Sequence, residues 1–175
     1  MFQKFYPDLY ISSTYEIDFD RLYREGYRGL IFDIDNTLVT HGAPANDKAK
    51  KLFEHLHELG FATCLISNNQ EPRVKPFAEA VQSLYIYDAH KPSTKNYEKA
   101  MQLMNTDKKN TIFIGDQMFT DVFGANRTGI PSIMVKKIHW KEEIQIVLKR
   151  RLEDIVLIGY RQYRKKHKSK FTQSK

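Results

Sequence analysis

The stretch GLIFDIDNTLV, Gly29 to Val39, sets two acids, Asp33 and Asp35, into an otherwise largely apolar run. Short apolar runs bounded by turn residues mark strands buried on both faces. An ionised carboxylate in such a place costs free energy unless something holds it. Residues i and i+2 of a strand point the same way, about 6.5 Å apart. Both carboxylates are therefore expected to face one crevice and to repel each other unless a cation joins them.

Similar runs recur along the chain: FATCLIS, SLYIYDA, NTIFIGD and PSIMV join RGLIFDI as five candidate strands. Between them, residues 45–59, 72–81, 93–104 and 119–127 carry helical spacing, with Asn46 and Ser93 as starts. A further helix is expected around residues 15–25, and another over 140–160 whose apolar side docks on the sheet. Strand and helix in alternation define an α/β fold, a doubly wound, mostly parallel, five-stranded sheet. In such a sheet the residues that act lie just past the carboxyl ends of the strands. Asp33 and Asp35, Ser67-Asn68-Asn69, Lys91 and Asp116 all fall there, so four distant segments should converge on one volume.

The 175 residues suit one domain, taken here as 1–160, followed by a basic, flexible tail over 161–175. That tail holds seven of the 28 Lys and Arg residues and no acid, leaving 21 basic against 21 acidic residues in the body. The net charge of +7 thus belongs to the tail and concerns its partners rather than the fold. An anionic membrane surface and nucleic acid both fit a polybasic segment; a solvated end without a partner also fits. Cys64 alone can form no internal disulfide. With no secretory-type start and no apolar span, the expected location is the cytoplasm, with peripheral contact at the inner membrane face.

All conspicuous donors are oxygens, without paired Cys or an HExxH pattern, so the expected ion is hard, Mg²⁺ rather than Zn²⁺. Phosphoryl transfer needs such a centre, because its transition state spreads charge over oxygens that a metal, a cation and N–H donors must neutralise. Lys91 can supply the cation; Ser67 and the following helix start can supply donors. A carboxylate can attack phosphorus while a second acid protonates the leaving oxygen. His55 and His57, two apart on a helix, do not share a face and read as surface residues. His90, Lys95, Arg73 and Lys75 flank the expected crevice; Arg73 and Lys75 are candidates to meet an anionic substrate.

DIDNT, SNN, KP and GDQMFTD resemble, in order, the four motifs of the haloacid dehalogenase (HAD) superfamily of phosphatases, in the subclass without a large cap. The whole sequence is similar to the bacterial YqeG family, itself related to mitochondrial phosphatidylglycerophosphate phosphatases. The resemblance implies a Mg²⁺-dependent phosphomonoester hydrolase working through an aspartyl-phosphate. Asp33 would be the nucleophile and Asp35 the acid/base, oriented by Thr37. Asp33, the Asp35 backbone carbonyl and Asp116 would surround the metal. Ser67 and Asn68 would bind the phosphoryl group, Lys91 would stabilise it, and Asp121 would stand behind.

No cap fits between Val39 and the helix near Asn46, nor between Ser67 and Lys91. The open site suits a bulky ester such as a phospholipid headgroup; phosphatidylglycerophosphate itself comes from the resemblance. Competing readings are a phosphatase of soluble sugar or nucleotide phosphates and a non-catalytic, RNA- or ribosome-associated protein of the same fold. A signalling receiver domain is disfavoured by the second acid two residues after the first.

Overall fold

In β2 (Gly29–Phe32), Leu30 and Phe32 enter one apolar cluster and Ile31 another, the alternation of a strand covered on both faces. The computed structural model describes residues 2–138 and 144–166. Chain order is β1 (Leu9–Ile11), α1 (Phe19–Arg24), β2, α2 (Asp47–Leu59), β3 (Ala62–Ile66), α3 (Glu71–Ala80), β4 (Leu84–Ile86), α4 (Lys95–Met104) and β5 (Thr111–Gly115). A π-helical turn, Met118–Val122, then runs into α5 (Phe123–Thr128), followed by β6 (Ser132–Val135) and α6 (Ile144–Lys166).

The sheet is parallel throughout, in the order β1-β6-β5-β2-β3-β4. It has six strands rather than the expected five. The extra one is β1, three half-exposed residues at the edge beside β6, too short to show a period. The chain order reverses at β2, flanked by β3 on one side and β5 on the other. That switch point is where an open α/β sheet leaves a crevice.

α1, α2 and α3 cover one face through Leu22, Phe53, Leu56, Val74 and Phe77; α4 and α5 cover the other through Tyr97, Ala100, Met101 and Ala125. Cys64 lies in this second layer, where burial pushes its thiol up to about 12, so it packs and does not react. Asn46 caps α2 as its position suggests, its side chain accepting from the Ala49 N–H at 2.9 Å.

The helix expected around 15–25 is instead a 3-10 turn at Thr14–Glu16 and the short α1. They are separated because Asp18 leaves helical geometry to cap the Arg21 N–H at 2.9 Å. α4 starts at Lys95 after Thr94, since the Ser93 N–H is taken by the His90 carbonyl. The last helix docks through Val156 against Met118, Val122 and Met134, and Tyr160 packs on the Tyr6 ring. It continues through residues 161–166; the rest of the expected tail, 167–175, and the expected helical residues 140–143 lie outside the described residues.

Gly124 on α5 lies directly against the Tyr97 ring and hydroxyl, where a Cβ would clash. Tyr97 is fully buried and cannot yield easily. Gly124→Ala should therefore destabilise the fold by about 1–3 kcal/mol, read as a lowered urea midpoint at unchanged slope.

Candidate active site

The registers of β2, β3 and β5 bring their carboxyl ends level: Phe32 faces both Leu65 and Ile114. The residues just beyond therefore crowd together. Asp33 follows β2, Ser67 follows β3 and Asp116 follows β5, and all three are buried. Lys91 enters from the loop after β4 and is buried as well.

Lys91 Nζ donates to Asp33 Oδ1 at 2.6 Å and to Asp121 Oδ1 at 2.7 Å. Its backbone is gripped by Asn68, whose Oδ1 accepts from the Lys91 N–H at 2.7 Å and whose Nδ2 donates to the Lys91 carbonyl at 3.3 Å. Asp121 also accepts from the Gln117 N–H at 3.1 Å. Gly115 is required here by space, since a Cβ would stand 2.5 Å from the Asp121 carboxylate and 2.7 Å from the Phe113 ring. The Thr37 hydroxyl lies 3.4 Å from Asp33 Oδ2 and 3.3 Å from Asp116 Oδ1. It bridges those two acids, whereas the expected contact was with Asp35.

Asp35 departs from the simple strand geometry. β2 ends at Phe32, and Asn36 turns the chain in the left-handed region at φ 63°. The Asp35 side chain then points to other partners. Oδ1 accepts from Arg73 Nη2 and from the Gly42 N–H, each at 2.8 Å, and Oδ2 accepts from Asn69 Nδ2 at 2.6 Å. The repulsion expected between the two acids is thus relieved by separate cations, Lys91 for Asp33 and Arg73 for Asp35. Sequence reading left Arg73 ambiguous and gave Asn69 no role of its own; the SNN run was the signal for the latter. Ser67 Oγ accepts from the Asn69 N–H at 3.1 Å and shapes the same loop.

Carboxylate oxygens of Asp33, Asp116 and Asp121 lie within 4.8 Å of one another. One ammonium against three acids leaves a deficit of positive charge, and Asp116 Oδ2, fully buried, has no hydrogen-bond partner among the described residues. An oxygen-only cluster with an orphaned carboxylate oxygen fits a hard divalent cation. The Asp35 carboxylate is outside the cluster, so that residue could join a metal only through its backbone carbonyl. Burial raises Asp33 to about 6, against the lowering effect of Lys91. Burial, then the charges of Asp33 and Asp121, raises Asp116 well above the ordinary range. Burial alone would lower Lys91, but Asp121 and Asp33 outweigh it and raise it.

The flap between Val39 and α2 is short, and between Ser67 and Lys91 lie only α3 and β4, so among the described residues no cap covers the crevice. A cavity of about 600 Å³ lies elsewhere, at the amino ends of β1 and β6, lined by Tyr6, Asp8, Arg127 and Tyr160 among others; it contains none of the carboxylates above. His55 pairs with Asp20 at 2.9 Å and His57 with Thr63 at 3.1 Å, away from the crevice.

These features define a HAD-like hydrolase, and comparison with known proteins agrees. The HAD-hydrolase-like family model matches residues 89–145. A Bacillus subtilis protein named "Probable phosphatase YqeG" is 38% identical over 137 residues, 77% of this chain and 80% of its own. The chain belongs to the YqeG family of HAD-like phosphatases. A phosphatidylglycerophosphate phosphatase 1 of Arabidopsis thaliana is 23% identical across 84% of this chain, which spans 45% of that relative. Among solved structures, a Listeria monocytogenes protein shares the fold at a TM-score of 0.53 and 19% identity, covering 67% of this chain and 84% of its own.

Below about pH 4, Asp116 is protonated in both folded and unfolded chains and contributes nothing to stability's pH dependence. Above that, the unfolded chain ionises freely while the fold resists, so stability is lost as pH rises. Asp116→Asn removes this cost. In EDTA the variant should match the parent near pH 4 and melt several degrees higher at pH 7.5, at about 2–4 °C per kcal/mol, by scanning calorimetry.

Proposed function

We propose that this phosphatase is a Mg²⁺-dependent phosphomonoester hydrolase acting through an aspartyl-phosphate on Asp33. The observation that carries the reading is the buried acid cluster with its orphaned Asp116 oxygen next to Asp33. Asp33, Asp116 and the Asp35 backbone carbonyl would hold the ion, which would supply positive charge to the transferring phosphoryl oxygens.

The chain's own residues do the rest. An Asp33 carboxylate oxygen attacks phosphorus and the ester P–O bond breaks. The electron pair leaves on the alcohol oxygen, which takes a proton from Asp35. Water then attacks the phosphorus, Asp35 takes its proton, and the acyl–phosphate bond breaks to release inorganic phosphate and restore Asp33. Lys91 balances the charge that collects on the phosphoryl group. The Ser67 hydroxyl and the Asn68 N–H bind its oxygens. Since the Asn68 amide is committed to the Lys91 backbone, that residue serves by its main chain and by placing Lys91. Asp121 anchors Lys91 from behind.

Phosphatidylglycerophosphate is the substrate we favour, supported by the Arabidopsis relative's name and by an open crevice that admits a phosphate projecting from a lipid surface. Among the described residues no helix is long and apolar enough to cross a membrane. We place access peripherally at the cytoplasmic face, with the basic end of the chain attracted to anionic lipid. One catalytic unit reaching through α6 suffices for this scheme. A nucleic-acid partner for the basic residues is the second reading.

Purified protein should release phosphate from phosphomonoesters with Mg²⁺ and stop with EDTA. Asp33→Asn should lower kcat by more than about 10³-fold while folding normally; turnover equal to the parent's would remove Asp33 as nucleophile. Burial raises Asp33 and a bound dication would lower it, so the acid limb of the pH–rate profile should move to lower pH as Mg²⁺ is raised.

Truncation after Lys166 keeps the Arg164 bond to the Asp8 carbonyl and the Tyr163–Tyr6 contact but removes three lysines. Flotation with vesicles containing anionic lipid should weaken while hydrolysis of a small soluble ester is unchanged. Equal flotation of parent and truncated chain would remove residues 167–175 from membrane contact.

A further inference from the structure

Asp35 is held by a cation of its own, and that cation has an unused donor. Asp35 Oδ1 has two lone pairs and two donors, Arg73 Nη2 and the Gly42 N–H, each at 2.8 Å. Of these two donors, one is free to move. The Gly42 N–H belongs to the flap backbone, whereas Arg73 is a long side chain in the first turn of α3. Its side chain keeps 21% of its surface exposed at the rim of the crevice.

Arg73 Nε is buried and has no hydrogen-bond partner among the described residues. A guanidinium presents Nε and Nη2 as a side-on fork matched to two oxygens of one anion. Here half of that fork is occupied and half is empty, an arrangement that costs free energy and that a bidentate anion would relieve. Arg73 therefore brings to the crevice a positive charge separate from Lys91, which is taken up by Asp33 and Asp121.

We infer that Arg73 is shared between Asp35 and the substrate, and that the site selects phosphomonoesters carrying a second anionic group, a phosphate or phosphodiester, on the leaving-group side. The inference rests on Asp33 and Asp35 acting as proposed above. The second anion takes the Nε–Nη2 fork and draws Arg73 off Asp35. A substrate without the second anion leaves the fork half filled and reacts more slowly. Arg73 is in this scheme a specificity residue for the leaving-group side.

Three Mg²⁺-dependent assays test this: glycerol 1-phosphate, glycerol 1,3-bisphosphate, and phosphatidylglycerophosphate in detergent micelles. Each is run with the parent, Arg73→Gln and Arg73→Lys. The parent should show a kcat/KM at least about tenfold higher for one or both of the esters with a second anion. A preference confined to the micellar ester or to the bisphosphate identifies the lipid or the soluble source. Arg73→Gln should lose about 10–100-fold on the doubly anionic ester and bring the ratio of its kcat/KM to that of glycerol 1-phosphate close to one, whatever the variant does to glycerol 1-phosphate itself. Arg73→Lys, which keeps the charge without the fork, should fall between.

Equal losses on all three esters, with unchanged melting temperatures, would make Arg73 a support for Asp35 alone and overturn the inference. A parent that makes no distinction among the esters would overturn it too. A parent that hydrolyses none of them overturns the proposed function, and the inference falls with it.

Discussion

The ammonium of Lys91, wedged between Asp33 and Asp121 at 2.6 and 2.7 Å, is the interaction on which the site depends. All three groups are buried, where an unpaired charge is costly and a broken pair costs more than its formation returns. The surroundings serve to keep the lysine there: Asn68 ties down its backbone, and the absent side chain of Gly115 makes room for Asp121. Yet one positive charge cannot balance three carboxylates. The remaining imbalance falls on Asp116, whose second oxygen meets no donor. The fold therefore carries a cluster of acids at a cost in stability, which is the usual relation between a strained site and its function.

Much of this was legible in the sequence because strand ends are where chemistry must differ from packing. A buried strand has no use for Asp, Ser-Asn-Asn or Lys, so acids and amides at the ends of apolar runs stood out, and the register of three parallel strands brought them together. Boundaries set by local competition were harder to read. Asp18 splits the first helix, and β1 is too short and too exposed to show periodicity. The direction of the Asp35 side chain was also hidden, because the strand period applies only while the strand lasts. Asn36, in the left-handed region, ends it. Arg73 lies 38 positions from Asp35, and nothing in the spacing of the two betrays their contact.

The two ends of the sheet divide the molecule's work. Carboxyl ends carry the acids and Lys91. At the amino ends, the Asp8 carboxylate accepts from the Ser132 N–H at the start of β6, and Arg164 of α6 reaches the Asp8 carbonyl. Because every strand runs the same way, the basic end of α6 lies at the pole away from the crevice. A membrane attracted to that pole would not face Asp33 and Asp35 directly. Electrostatic attraction through the end of the chain would act by raising local concentration, through a tether, rather than by docking the crevice on the lipid. On the proposed mechanism, recognition of the substrate itself would fall to Lys91 and Arg73 at the crevice. Substrate choice and surface attraction would on that reading be separable properties of one fold, set by charges at opposite ends of the same six strands.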